Sequence, residues 1–279
     1  MFNFVLTYFL SMEIKRYIYN MNIPFYKYQG TGNDFVMIDN RKDEFPLKDE
    51  KRIAAICDRR FGVGADGLIV LQSHKTTDFM MQYFNADGRL GSFCGNGGRC
   101  AVAFAEYLGI IDKQTNFTAF DGSHDATISG NVVSLSMRDV KNVHTFSTHV
   151  YLDTGSPHHV EFVKDTINLD VSKHGSMIAH NETYGQEGTN VNFVSIVKDR
   201  QIQVRTFERG VESETLSCGT GVTAAALASF SVGKVTNSKI EVSTLGGVLT
   251  VSFTPSGKGF SDIVLTGPTE FVFSGTLQL

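Results

Sequence analysis

The chain has 279 residues, 42% of them hydrophobic, which is enough to build the core of one large domain or of two ordinary ones. Its formal net charge is −4, without a block of basic residues, and this argues against a nucleic-acid-binding protein. The four cysteines form no C-x-x-C pair, so neither a disulfide framework nor a metal centre is indicated. We therefore expect reduced thiols, no metal and a cytoplasmic location.

The first 21 residues differ in character from the rest of the chain. The apolar stretch 1–10 is too short to span a membrane. It also lacks the basic start and the small-residue cleavage site of a signal peptide. We interpret residues 1–21 as an N-terminal extension and expect no membrane partner.

The elements of the next 120 residues follow from apolar alternation and from turn residues. The pattern predicts strands at 25–29, 35–39, 68–71, 78–84, 115–119, 126–129 and 132–137. Helices are predicted at 48–57 and from 95 to 108, where Gly109 ends the second one. The N-terminal half would thus cover residues 22–140.

The following residues repeat this order and define a C-terminal half over 141–267. Strands are predicted at 149–153, 158–163, 192–197 and 202–207, helices at 169–179 and 219–231, and four final strands near residues 240, 248, 263 and 271. We expect the C-terminal strand, 268–279, to return to the first half. The two helices that begin at Gly95 and Gly219 are apolar nearly all round, which predicts that each is buried within its sheet.

An internal repeat links the two halves. Cys94-Gly-Asn-Gly and Cys218-Gly-Thr-Gly lie 124 positions apart, and three further pairs of segments recur at an offset of 123 or 124. Such regular self-similarity indicates a duplicated fold. The predicted class is α+β, with two pseudo-symmetric halves, each a mixed sheet around a central helix.

Each repeated cysteine directly precedes a helix. The unpaired amides and positive potential of a helix N-terminus should lower the thiol pKa from about 8.5 towards neutrality. The free amides that could bind a carboxylate there belong to Gly95, Asn96, Gly219 and Thr220. If the two halves face each other, Cys94 and Cys218 lie on opposite sides of one cleft, as a two-base inversion of a carbon centre requires. The alternatives are that both cysteines are small capping residues, or that they form a redox-sensitive disulfide.

Other polar residues occur at turns and strand ends. Asn33, Asn85 and Asn190 have the setting of ordinary turn residues. Glu208-Arg209 occupies the repeat position of Asn85, where Arg209 could clamp a carboxylate and Glu208 an ammonium.

Two further motifs bear on proton transfer and on cofactor binding. His158, or its neighbour His159, is a candidate for assisting proton transfer, and a structural histidine is equally compatible with the sequence. The stretch 62–67 matches G-x-G-x-x-G, but a strand follows it instead of a helix, so we expect no dinucleotide and no other cofactor.

At these residues the chain resembles the diaminopimelate epimerase family. The matching segments are GTGNDFVMIDN (30–40), FGVGADG (61–67), FNADGRLGSFCGNGGRC (84–100), GSPHHV (155–160), TNVNF (189–193) and ERGVESETLSCGTG (208–221). The resemblance implies two mirrored halves and a pyridoxal-independent isomerase that interconverts LL- and meso-2,6-diaminopimelate in lysine and cell-wall precursor biosynthesis.

The same resemblance implies a set of roles. Cys94 and Cys218 would be the acid/base pair, with His158 assisting. The reacting carboxylate would be held by Gly95, Asn96, Gly219 and Thr220, and the remainder of the substrate by Asn33, Asn85, Asn190, Glu208 and Arg209. The partner is then a small molecule, and a homodimer is a possible assembly.

The chain departs from the family pattern near the site. Ser156 stands where many members have Asn, and Gly67 where some have Gln, which removes a possible polar contact. The spacer between Arg209 and Cys218 is one residue longer than usual. A proline or hydroxyproline racemase of the same architecture is the main alternative. Glu208-Arg209 argues against it, because such substrates have no distal amino-acid group.

Overall fold

The computed structural model describes residues 22–278, and the predicted extension at 1–21 lies outside them. Within this part of the chain there are four α-helices: α1 (Glu50–Cys57), α2 (Gly95–Tyr107), α3 (Val171–Ala179) and α4 (Gly219–Ser231). The strands of the first half are β1 (Asn22–Gly30), β2 (Asn33–Asp39), β3 (Gly67–Gln72), β4 (Met80–Asn85), β5 (Gln114–Ala119), β6 (Gly122–Ser129) and β7 (Val132–Ser136). The strands that follow are β8 (His144–Thr145), β9 (Val150–Asp153), β10 (Pro157–Phe162), β11 (Asn190–Lys198), β12 (Gln201–Glu208), β13 (Ser213–Thr215), β14 (Lys239–Thr244), β15 (Gly247–Ser256), β16 (Gly259–Pro268) and β17 (Glu270–Gln278).

The strand pairings repeat from one half to the other. Along β1 to β7, neighbours pair antiparallel except for the parallel pairs β2–β3 and β4–β5. Along β9, β10, β11, β12, β14, β15 and β16, the parallel pairs are β10–β11 and β12–β14, at the same two places. Parallel neighbours need a long crossover. The second crossover of each half carries the central helix, α2 or α4, so the predicted duplication is confirmed.

Two pairings join the halves into one hydrogen-bonded network. Strand β7 pairs antiparallel with β16, and the last strand, β17, pairs antiparallel with β1. The chain therefore crosses twice between halves, and its final strand lies beside its first described strand.

The two central helices are enclosed by the sheets. Every residue from Gly95 to Ala105 in α2 and from Gly219 to Ser229 in α4 is buried. Both stretches consist largely of Gly, Ala, Ser and Val, whose small side chains let surrounding strands approach a helix from all sides. The prediction of buried helices is confirmed. The smaller helices α1 and α3 cover the outer faces of the first and second half.

Element boundaries differ slightly from the sequence predictions, for local reasons. Helix α1 begins at Glu50 because the Asp49 side chain accepts a hydrogen bond from the Arg52 amide, and Asp170 caps α3 in the same way. The short strands β8 and β13 were not predicted, since two or three residues carry no periodic pattern.

Candidate active site

The N-termini of α2 and α4 meet at the centre of the molecule. A Cβ atom placed on Gly219 would lie 3.2 Å from the Cα of Gly95 and 3.4 Å from the backbone nitrogen of Asn96. Such close approach of two backbones requires glycine. The first amides of two helices thus face one small region, with Cys94 and Cys218 as the N-cap residues.

The two thiols have different surroundings. Cys94 Sγ accepts a hydrogen bond from the Gly97 amide at 3.4 Å and donates one to Asn33 Oδ1 at 3.5 Å. Cys218 Sγ lies 3.4 Å from Thr220 Oγ1, and the charge of the Glu208 carboxylate acts on the thiol. Glu208 also accepts a hydrogen bond of 2.5 Å from Thr215 Oγ1.

Burial determines the acidity of both thiols. It raises the pKa of Cys94 to about 11, although the amides of Gly97 and Asn96 act in the opposite direction. It raises the pKa of Cys218 well above its ordinary value, and the charge of Glu208 adds to the effect. The sequence prediction of thiols near neutrality is therefore wrong for this conformation. The helix termini do favour the thiolates, but desolvation outweighs them.

The first half holds the loop that leads to Cys218. Asn96 Nδ2 donates to the Ser217 carbonyl at 2.8 Å and contacts Asn33 Oδ1 at 3.4 Å. Thr31 Oγ1 donates to Ser217 Oγ at 3.0 Å. These bonds connect the two halves directly beside the second thiol.

A charged network fixes Asn33. Its Nδ2 donates to Asp66 at 2.7 Å, and Asp66 is paired with Arg59 at 2.6 Å. Arg59 also binds Asp34, which pairs with Lys27 at 2.7 Å. Asn33 Oδ1 is thereby held towards Cys94 and the first turn of α2.

A second polar group lies in the C-terminal half. Asn190 Oδ1 accepts a hydrogen bond of 3.0 Å from the Arg209 amide, and the Arg209 guanidinium donates to the Glu187 carbonyl at 3.1 Å. Among residues 22–278, no carboxylate forms a salt bridge with Arg209. Its charge remains available to an anionic ligand.

His158 lies near Arg209 and is fully buried. Burial lowers its pKa to about 3, with a smaller contribution from the charge of Arg209. Asn192 Nδ2 lies 3.0 Å from His158 Nδ1, so the imidazole is neutral and carries its proton on Nε2. Sequence reasoning missed Asn192. The available signal was its spacing of two from Asn190, which places both side chains on one face of β11.

Asn85 ends β4, and its side-chain amide makes no hydrogen bond to another residue of the described chain, whereas its backbone N–H donates to the Arg89 carbonyl at 2.9 Å. A Cβ on Gly91 would lie 3.1 Å from its Oδ1 and 2.6 Å from Cδ1 of Tyr83. Asn85 therefore stands beside Tyr83 with free polar atoms.

Two groups of site candidates are distinguishable by their contacts. The first surrounds the thiols and comprises Asn33, Cys94, Gly95, Asn96, Glu208, Cys218, Gly219 and Thr220. The second comprises His158, Asn190 and Arg209.

Across residues 22–278, no cluster of three or more His, Cys, Asp or Glu side chains is placed to hold a metal ion. No helix in that range is long and apolar enough to cross a membrane.

Comparison with known proteins identifies the family. The diaminopimelate epimerase model matches residues 25–138 and 150–272, which is most of both halves. The chain belongs to the diaminopimelate epimerase family. It is 51% identical to the diaminopimelate epimerase of Flavobacterium psychrophilum over 253 residues, which are 90% of this chain and 99% of that protein. It is 45% identical to the enzyme of Chlorobaculum tepidum over 260 residues, covering 90% of this chain and 99% of the relative.

Solved structures share the fold of this diaminopimelate epimerase family member at low identity. A hydroxyproline epimerase from Agrobacterium vitis has a TM-score of 0.70 at 14% identity, with 92% of this chain and 93% of that chain covered. A phenazine biosynthesis protein of the PhzF family from Bacillus anthracis has a TM-score of 0.74 at 16% identity, with 93% and 100% covered. These likenesses concern the architecture of two halves around two helices.

Two of the three departures from the family pattern, Ser156 and Gly67, have defined contacts in the structure. The Ser156 carbonyl accepts a hydrogen bond of 3.2 Å from the Thr154 amide, and the Thr154 hydroxyl donates to the Thr220 carbonyl at 2.9 Å. Ser156 thus belongs to a loop held against the first turn of α4. A Cβ on Gly67 would lie 2.5 Å from both the Phe84 carbonyl oxygen and Cε2 of Tyr83. No side chain fits at position 67 without movement of β4.

Proposed function

We propose that the protein interconverts LL- and meso-2,6-diaminopimelate by a two-thiol acid/base mechanism without pyridoxal phosphate or metal. One cysteine, as thiolate, removes the proton from the α-carbon. The other, as thiol, returns a proton to the opposite face. The observation that supports the proposal is the meeting of two helix N-termini that each follow a cysteine, because a carbon centre bound between them would be accessible to one thiol from each side.

Binding of the reacting carboxylate is assigned to the amides at the two helix starts. The backbone N–H groups of Gly95, Asn96, Gly219 and Thr220 are oriented donors, and they stabilise charge that develops on the α-carbon and its carboxylate. The remainder of the substrate is assigned to Asn33, Asn85, Asn190, Glu208 and Arg209. Arg209 has the planar fork suited to a second carboxylate.

His158 is proposed to assist as a neutral group. With a pKa of about 3, it is not an imidazolium at neutral pH, so it helps to position the substrate or to relay a proton. Four free cysteines support a reducing, cytoplasmic location. A homodimer stays a prediction.

Deuterium incorporation tests the reaction. Purified protein in deuterated buffer with LL-diaminopimelate should produce the meso isomer and place deuterium at one α-carbon, without added cofactor. Proline and trans-4-hydroxyproline serve as comparison substrates, because each has only one carboxylate. Exchange with proline but not with diaminopimelate would favour the racemase alternative. Activity lost on EDTA dialysis and restored by a metal would contradict the cofactor-independent mechanism.

A further inference from the structure

Tyr83 is wedged between two glycines. A Cβ on Gly67 would lie 2.5 Å from Tyr83 Cε2 and 3.1 Å from Cζ, and a Cβ on Gly91 would lie 2.6 Å from Cδ1. The ring of Phe35 meets Tyr83 edge-on, with centroids 6.0 Å apart. The tyrosine ring is thus fixed in place, and it requires glycine at position 67.

The fixed ring lies on the site side of β4. Side chains alternate along a strand, so Tyr83 shares a face with Asn85, whereas Phe84 packs into the outer core with α1. Burial raises the pKa of Tyr83, and the acidic groups of Cys94, Asp66 and Glu208 act in the same direction. The phenol lies near Asn85, because a Cβ on Gly91 would contact both the Tyr83 ring at 2.6 Å and Asn85 Oδ1 at 3.1 Å. It stays protonated as a neutral hydrogen-bond donor.

The Tyr83 hydroxyl has no hydrogen-bond partner among residues 22–278. A tyrosine hydroxyl that leaves bulk water normally has one. Tyr184 is an example in the same chain, since its hydroxyl lies 2.6 Å from His159 Nδ1. Tyr83 is only partly buried, which leaves this unused donor available to a bound ligand.

We propose that Tyr83 is a specificity-determining residue whose hydroxyl hydrogen-bonds the bound amino acid beside Cys94 and Asn85. This inference rests on the proposed function. Gly67 and Tyr83 are then sterically complementary, because the ring of Tyr83 occupies the space that a side chain at position 67 would need. The polar contact is supplied from the neighbouring strand.

Tyr83→Phe isolates the hydroxyl, because the ring and its wedge between the glycines remain. Loss of one hydrogen bond to a buried substrate group should lower kcat/KM for diaminopimelate roughly tenfold. The change should lie mostly in KM, since a neutral donor contacts substrate and transition state alike. The melting temperature should not change. Tyr28→Phe is the matched control, because Tyr28, on β1, is buried against the rings of Phe104 and Phe271. The kinetics of this variant should equal those of the wild type.

The outcomes separate this inference from the proposed function. An active wild type together with a Tyr83→Phe variant within twofold of its kcat/KM would overturn the role of Tyr83 alone. An equal loss in Tyr28→Phe would also overturn it, because the effect would then come from general packing. A wild type that neither epimerises diaminopimelate nor exchanges its α-proton would overturn the proposed function and this inference with it.

Discussion

Arg99 lies near the start of α2 and allows a direct test of how a buried charge affects stability and the pKa of the Cys94 thiol. Its side chain is completely buried. It donates hydrogen bonds to the Gly95 carbonyl at 3.4 Å and to Thr31 Oγ1 at 3.3 Å. Nε has no partner within the described chain, and no carboxylate there pairs with the guanidinium. A buried cation without a counter-ion should reduce stability.

The structure gives the size of this cost. Burial lowers the pKa of Arg99 to about 10, from an ordinary value of 12.5, and this difference corresponds to about 3 kcal/mol against the charged form in the folded protein. Thr31 Oγ1 keeps its bonds to the Gly30 carbonyl and Ser217 Oγ when the guanidinium is removed. The cation has a compensating effect, because it lowers the pKa of the Cys94 thiol.

Arg99→Met should separate stability from activity. We expect the free energy of unfolding in urea to stay constant or to rise by up to about 3 kcal/mol, because methionine fills most of the space without a charge. The alkylation of Cys94 by iodoacetamide should shift to higher pH. The value of kcat/KM should fall about tenfold, as expected for the loss of roughly 1.4 kcal/mol of stabilisation of the thiolate.

Arg99→Lys is the control that keeps the charge and removes the planar fork. It should retain the alkylation profile of the wild type better than Arg99→Met does. The reasoning is refuted if Arg99→Met loses more than about 2 kcal/mol of unfolding free energy, since the guanidinium would then stabilise the fold on balance. Full activity in Arg99→Met would refute its electrostatic role.

Two further predictions concern the buried histidine and the paired thiols. Because burial lowers the pKa of His158 to about 3 from 6.5, the unfolded chain binds a proton that the folded chain does not in this range, so stability falls as the pH drops below 6.5. His158→Gln should reduce that loss by about 1.4 kcal/mol per pH unit in urea denaturation between pH 6 and 4, and an unchanged pH dependence would contradict it. Mild oxidation should inactivate the free protein through a Cys94–Cys218 disulfide that dithiothreitol reverses and diaminopimelate slows. Since the thiolate attacks, the rate should rise about tenfold per pH unit below the raised thiol pKa values, whereas linked peptides that contain Cys57 or Cys100 would contradict the pairing.

The features that could be predicted from the sequence depend on periodicity and repetition. Helices rich in Gly and Ala at 95–105 and 219–229 are apolar nearly all round, and such a composition is typical of a buried helix. The offset of 124 between Cys94 and Cys218 is nearly the same as that of the other repeated segments. It predicts that the two cysteines occupy equivalent positions in two copies of one fold. These two signals are enough to indicate the central helices and the position of each thiol at a helix start.

The features that could not be predicted depend on contacts between distant residues. The bond from Asn96 to the Ser217 carbonyl joins residues 121 positions apart, and no local pattern announces it. The same is true of Tyr83. In the sequence it is an ordinary residue of strand β4, and only the structure places Gly67 and Gly91 against its ring. Thiol acidity was predicted with the wrong sign, because a sequence shows the helix start but not the exclusion of water around it.

The raised thiol pKa values are consistent with a two-base reaction if the substrate changes the charge around the thiols. The carboxylate of Glu208 raises the pKa of both Cys94 and Cys218, so it opposes formation of either thiolate in the empty site. In the proposed reaction a substrate ammonium pairs with this carboxylate and offsets its charge, and a nearby positive charge favours the thiolate. Thiolate formation is then coupled to substrate binding. Without substrate both cysteines remain protonated at neutral pH, because burial and the charge of Glu208 raise the pKa of each thiol.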